Sequence, residues 1–381
     1  VGEHSERGVL LRAVGDVALI GRAARALIEG PGPAWRDAAG FLASADIACA
    51  NIEMPVPRSP SERTAPDVSP DLVGMPEALY PFLETGLDVA SVATNHIMDW
   101  GETGLLETLE ALREEGVATV GAGRNLDEAL EPAVLERSGL RVGFAAFTPA
   151  QRWTAAANRA GAAPLTSDAV RESLGRLPAV DVRVVSLHWG IELARYPTPD
   201  DRALARSIAD MGVDLILGHH PHTLQGVERL GGAWVAYSMG NFVFDIDAGR
   251  INHSFDPRDL SAGYAVEARL APGDVLEFRT VPTLLGPDGL ATLATGEEGT
   301  RIAALIDEAS RDIGEGSRRI WSEAGGKLVG HKLKVIRANV RDGGVLFALR
   351  QLANLRPRHL RLLFGYLSSR LRRKGDAHET R

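Results

Sequence analysis

The ten residues from Val213 to His222 constrain the chain more than any other stretch. They read VDLILGHHPH: an apolar run stopped by Gly218, then His219, His220 and His222. A buried strand that ends in glycine and then presents His-x-His delivers imidazoles to the rim of a sheet. There a cation can be held without a Cβ clash at the turn. Three of the chain's ten histidines fall within these four positions, so the rest of the sequence is searched for groups that point at the same place.

Four other apolar runs end in comparable residues. Leu10 to Val14 ends in Gly15-Asp16, and Ile47 to Ala50 in Asn51-Ile52-Glu53. Val89 to Ala93 ends in Thr94-Asn95-His96, and Val182 to Leu187 in His188-Trp189-Gly190. Between them lie helical patterns at Ala23–Ile28, Thr103–Glu114 and Arg202–Met211, the first broken by Pro31-Gly32-Pro33. A strand is expected at Val117–Val120, and a hairpin joins Ala133–Glu136 to Arg141–Phe147 around Ser138-Gly139. Antiparallel strands follow at Trp234–Tyr237, Phe242–Phe244, Gly263–Leu270 and Val275–Val281, with a helical pattern from Arg301 onward. Strands alternating with helices predict an α/β fold, and strand ends meeting at one sheet edge are where such folds build sites. Carboxylate, amide oxygen and imidazole together suit a divalent ion such as Ca, Mn, Mg, Zn or Fe.

Composition limits the partners. At 381 residues there is room for one large domain with an appendage, or for two domains. The single cysteine, Cys49, excludes an internal disulfide and fits a reducing, cytoplasmic setting; within its apolar run it reads as a core thiol. No run approaches the ~20 apolar residues of a membrane span, so stable membrane insertion is not expected. Residues 327–381 carry 14 Lys+Arg against 3 acidic residues, whereas residues 1–326 carry 28 against 47. Such a split suggests a basic tail lying on an acidic body or on an anionic partner, and nothing points to nucleic acid. Five prolines in residues 55–70 mark an irregular loop able to act as a lid.

The motifs VGDVAL, ANIEMP, ATNHIMDWGETGLLETLEAL, SLHWGIE, LGHHPHTLQGVE and YSMGNFVFD resemble, in order, those of the CapA family of poly-γ-glutamate capsule synthesis. The resemblance covers about residues 9–270. It implies a calcineurin-like metallophosphatase fold, a β-sandwich flanked by helices, with a basic helical C-terminal extension. On this reading residues 1–298 form the catalytic domain and 299–381 the extension. The resemblance also implies that Asp16, Asn51, Glu53, Asn95, His188, His220 and His222 surround one or two divalent ions. His96 matches a proton-donating histidine, with Asp99 three residues on to hold it. His219 is expected to stand behind the ligands. One departure stands out: phosphatases of the common type have Asp-x-His after the first strand, and here Val17 and Ala18 follow Asp16. The first ion position is therefore one imidazole short, which weakens a phosphatase reading.

Some proteins resembling this family epimerise the C-terminal residue of lasso-peptide precursors, and the missing imidazole favours that activity here. The expected reaction inverts a Cα centre by His/Asp acid–base chemistry. His96 with Asp99 would form one pair; His220, His222 or His253 with Asp16 or Asp245 would form the other. The precursor's leader is expected to dock on the basic C-terminal helices. The alternatives are a metal-dependent phosphoesterase and a poly-γ-glutamate capsule protein. Trp100 and Trp189 flank the presumed site and could line a pocket, while Gln225 and Glu228 could support the histidine loop.

Overall fold

A computed structural model describes residues 8–58, 72–246 and 260–317. Two sheets pack face to face with helices on both outer surfaces. In chain order the first sheet draws on β1 (Val9–Val17), β2 (Ile47–Ile52), β3 (Val89–Ser91) and β4 (Ala118–Val120). A short pair, β5 (Ala122–Gly123) with β8 (Gly161–Ala162), stands apart. The second sheet begins with the hairpin β6 (Ala133–Arg137) and β7 (Leu140–Phe147), and continues with β9 (Val182–His188), β10 (Leu215–His219), β11 (Val227–Leu230) and β12 (Ala233–Ala236). The chain then returns to the first sheet with β13 (Asn241–Val243), β14 (Ala262–Ala271), β15 (Asp274–Leu285) and β16 (Ala291–Leu293).

The first sheet runs β16-β15-β14-β1-β2-β3-β4, with β13 extending alongside the end of β1; the second runs β11-β12-β10-β9-β7-β6. Strands β1 to β4 are mutually parallel, as are β7, β9, β10 and β12. Parallel strands are joined by crossover helices and buried on both faces, which is why they read as near-continuous apolar runs. Helices α1 (Gly21–Glu29), α2 (Pro33–Ala43), α3 (Pro76–Leu83) and α4 (Gly101–Glu114) cover the first sheet through one apolar cluster. After the short α5 (Leu126–Ala129), α6 (Ser167–Arg176) and α7 (Pro199–Ala209) cover the second through another. The third cluster lies between the sheets and takes side chains from both.

Alternation sorts each strand between these layers. On β2, Ile47 and Cys49 face the inter-sheet layer and Ala48 and Ala50 face the helices; on β10, Leu215 and Leu217 face inward and Ile216 outward. The last helix, α8 (Gly296–Arg311), lays Ile302 and Ile306 onto the inter-sheet core. It runs across the 298/299 boundary expected between catalytic domain and extension, and the expected basic helices of 327–374 lie outside the described residues. The expected strands and the 133–147 hairpin are present, but two of the strands expected to be antiparallel are not purely so: β13 pairs in parallel with β1, and β12 pairs in parallel with β10 and antiparallel with β11. Four helices, α2, α3, the short α5 and α6, were not expected. The Pro-Gly-Pro break ends α1, but Pro33 opens α2 at its first turn, where a missing N–H costs nothing; α3 and α6 lay in stretches without a clear period.

Candidate metal centre

The C-terminal ends of β1, β2, β3, β9 and β10 meet at one edge of the inter-sheet layer. A β-bulge brings Asp16 there. Ala13 pairs with Cys49 and Asp16 with Asn51, so three steps on β1 match two on β2. Without the extra residue the period of two would turn Asp16 toward the helices; with it, Asp16 joins the face of Leu11 and Ala13. Gly15 is required at this bulge. A Cβ there would stand 2.0 Å from the carbonyl oxygen of Gly240, on the segment entering β13.

Asp16, Asn51 and Glu53 have no solvent exposure, and His188 and His222 are at most 4% exposed. Asn51 Nδ2 donates to Asp16 Oδ1 at 2.9 Å and lies 3.2 Å from His188 Nδ1. The backbone N–H of His220 donates to Asp16 Oδ2 at 3.2 Å. His188 Nε2 is 2.7 Å from Asn95 Oδ1. Among the described residues two groups bring ligand atoms within 4.8 Å of one another: Asp16, Glu53 and His222, and Glu53, His188 and His220. Glu53 belongs to both. The donors divide by sheet: the oxygens of Asp16, Asn51, Glu53 and Asn95 come from the first, and all the imidazoles of the two groups from the second.

These residues fit a cation. Neither oxygen of the buried Glu53 carboxylate accepts a hydrogen bond; His222 Nε2 approaches at 3.3 Å and His188 Nε2 at 3.9 Å. His222 Nδ1 donates to Asn241 Oδ1 at 2.9 Å, which fixes that proton and leaves Nε2 facing Glu53. A lone pair and a carboxylate cannot face each other at that distance unless a proton or a cation lies between them. Burial pulls the His222 imidazole down, but the neighbouring Glu53 carboxylate, then Asp16, outweigh it and push the group up to about 10. Burial raises the Glu53 carboxyl above its usual range despite His222. Burial also acts to raise Asp16, yet His219, His222 and the His220 N–H hold it below the usual carboxylate range. His188 is kept well below the normal imidazole value by burial and by the histidines around it.

The histidine loop is held in an uncommon backbone conformation. His220 and His222 have φ of 94° and 59°, a region that side-chain-bearing residues seldom enter and that is often found at functional sites. A neighbouring loop clamps it: Leu193 N–H donates to the Pro221 carbonyl, and Thr223 Oγ1 and Gln225 Nε2 both donate to the Ala194 carbonyl.

His96 stands beside the two groups, 8% exposed, with Nδ1 2.6 Å from Asp99 Oδ2. Asp99 also accepts the Leu72 N–H, so the carboxylate is fixed. Burial opposes the charged imidazole, but the Asp99 hydrogen bond and charge win and raise it above the ordinary value. Such a group can donate a proton at neutral pH.

The expected site residues therefore come together. Val17 and Ala18 are buried in the helix-side core, so the first group has one imidazole where the second has two. Trp189 does not line a pocket: it is 2% exposed and stacks on Tyr237 in the core beneath the second sheet. Asp245 is engaged by Arg22, and His253 lies outside the described residues. Gln225 supports the histidine loop, whereas Glu228 pairs with Arg202 and Tyr237. Asn241 was missed; it sits in YSMGNFVFD, and only its contact with His222 reveals a role.

Residues 10–246 match the family described as "Bacterial capsule synthesis protein PGA_cap". The capsule biosynthesis protein CapA of Bacillus anthracis is 30% identical over 254 residues, 64% of this chain and 62% of that protein. The PGA biosynthesis protein CapA of Bacillus subtilis (strain 168) is 30% identical over 238 residues, 61% and 62% of the two chains. The chain thus matches these relatives over less than two thirds of their length. Among solved structures, a novel phosphatase of Mycoplasma pneumoniae superposes with a TM-score of 0.46 at 13% identity, covering 73% of this chain and 94% of that one.

Proposed function

The chain belongs to the bacterial capsule synthesis PGA_cap family, and on that premise we propose that it is a divalent-cation-dependent hydrolase acting on an anionic, polyglutamate-type polymer. The observation that carries the chemistry is Glu53, a fully buried carboxylate shared by two groups of ligand side chains. Asp16, Glu53 and His222 would hold one cation, and Glu53, Asn95, His188 and His220 the second. Bound there, divalent ions polarise a carbonyl or phosphoryl oxygen and acidify water. The substrate class follows the relatives, whose names refer to capsule and PGA biosynthesis.

The protein's own side chains do the rest. Asn241 fixes the His222 tautomer, and Asn51 ties Asp16 to His188. His96, oriented by Asp99, delivers a proton to the leaving group. Epimerisation needs a second acid–base pair on the opposite face of the substrate. Among the described residues, with Asp245 engaged by Arg22, that pair would have to come from the ligand residues themselves, so hydrolysis is the more economical reading. The relatives' names likewise lend the peptide-epimerase expectation no support.

The test loads the full chain with Mn, Zn, Mg, Ca or Fe in turn and offers polyglutamate, an aryl phosphate and a peptide in D2O. Shortened polymer, lost with chelator and in Glu53→Gln, is the expected result. Phosphate release from the aryl ester with the polymer untouched would move the substrate class to phosphoesters. Deuterium uptake at a peptide Cα without bond cleavage would overturn hydrolysis.

A further inference from the structure

Beneath Asp16, in the apolar layer between the sheets, lies a cavity of about 20 Å³ lined by Cys49, Ser91, Val184, Ser186, Leu217 and His219 among others. None of these six side chains is more than 8% exposed. Strand alternation puts the polar ones there. Ser91 stands two after Val89 on β3, Ser186 two after Val184 on β9, and His219 two after Leu217 on β10. Their neighbours on the same face are aliphatic, yet Ser91 Oγ, Ser186 Oγ and His219 Nδ1 have no hydrogen-bond partner among the described residues. Two hydroxyls and an imidazole unpaired in one place would be destabilising, and native interiors rarely tolerate it. A water needs about 10–15 Å³ of such space and two to four polar partners, and this cavity supplies both.

We propose that the cavity is a built water site, and that water held by Ser91, Ser186 and His219 makes His219 a positioning residue for Asp16. His219 belongs to neither ligand group. The Nδ1 that lacks a hydrogen-bond partner also lies 3.4 Å from Asp16 Oδ1, so the cavity and the Asp16 carboxylate meet at the same ring nitrogen. A partner on the cavity side holds the imidazole in place and keeps the Asp16 carboxylate aimed at the ion. Ligand-supporting groups of this kind commonly control metal affinity. The positioning role rests on the reading of Asp16 as an ion ligand; the water site does not.

Thermal unfolding of the full chain, stripped of ions by chelator, tests the water site. If the hydroxyls anchor water, Ser91→Ala/Ser186→Ala leaves His219 with an unanchored partner and lowers Tm. If the cavity is dry, deleting two unpaired hydroxyls raises Tm, and the water site is overturned. A high-resolution crystal structure should place an ordered oxygen within hydrogen-bond reach of both serines; a dry cavity there would have the same overturning force. For positioning, Mn2+ affinity is measured by competition with a chelating dye. His219→Phe should weaken binding about tenfold, with His219→Gln recovering part of the loss. Unchanged affinity in His219→Phe overturns the positioning role. If the parent chain binds no Mn2+, the ion reading fails by itself, and the Tm comparison still decides the cavity.

Discussion

His222 and Glu53 set the terms at the scale of single residues. Glu53 and Asp16 push the His222 imidazole up to about 10, so without an ion a proton is expected between His222 and Glu53. A cation must displace that proton. Ion binding between pH 7 and 9 should therefore release about one proton per ion at this group and weaken as pH falls. Calorimetry in buffers of different ionisation enthalpy would measure the release; proton-neutral binding would contradict the arrangement. At His220, a backbone at φ 94° carries strain of about 1 kcal/mol or more that glycine does not share. His220→Gly should accordingly be more stable than His220→Ala by roughly 1 kcal/mol in urea titrations, with ion binding lost in both. Every ligand candidate was legible in the sequence, because each closes an apolar run. Asn241 and the unpaired Ser91 and Ser186 were not, since their meaning lies in cross-strand neighbours that no local pattern carries.

Secondary-structure elements were legible where one period held and obscure where it broke. Strand β1 reads as ending at Val14, yet it continues to Val17, because the bulge at Val14-Gly15 interrupts the alternation that marks a strand. Gly15→Ala tests that bulge. A methyl group 2.0 Å from the Gly240 oxygen must force the strands apart, costing about 3 kcal/mol. Helix α7 has a full capping box, in which Thr198 Oγ1 accepts the Asp201 N–H and Asp201 accepts the Thr198 N–H. Thr198→Ala should cost about 1 kcal/mol in chemical unfolding while leaving ion affinity unchanged. The hydrophobic pattern of α3 was obscured by an internal proline, Pro81, and that of α6 by its polar outer face.

The whole molecule adds a term that no element contains. Residues 1–326 carry a large formal negative excess and residues 327–381 a positive one. On the proposed function, an anionic polymer would be repelled by the acidic part, and the basic segment would supply the attraction. KM for polyglutamate should rise with ionic strength in the full chain, and a chain shortened at residue 326 should show a higher KM and lose that dependence. Equal salt dependence in both chains would exclude the basic segment from substrate capture. Among the described residues no helix is long and apolar enough to cross a membrane.

One sheet contributes the oxygen donors and the other the imidazoles, so the metal centre is complete only when both sheets are in place. An ion bound there would act as a latch closed late in folding. It should leave the refolding rate nearly untouched and slow unfolding, because a contact absent from the transition state appears only in the rate of escape from the native state. Stopped-flow chevrons with and without Mn2+ should share a folding limb and separate along the unfolding limb. The ion would then govern how long the fold survives, independently of any bond it helps to cut.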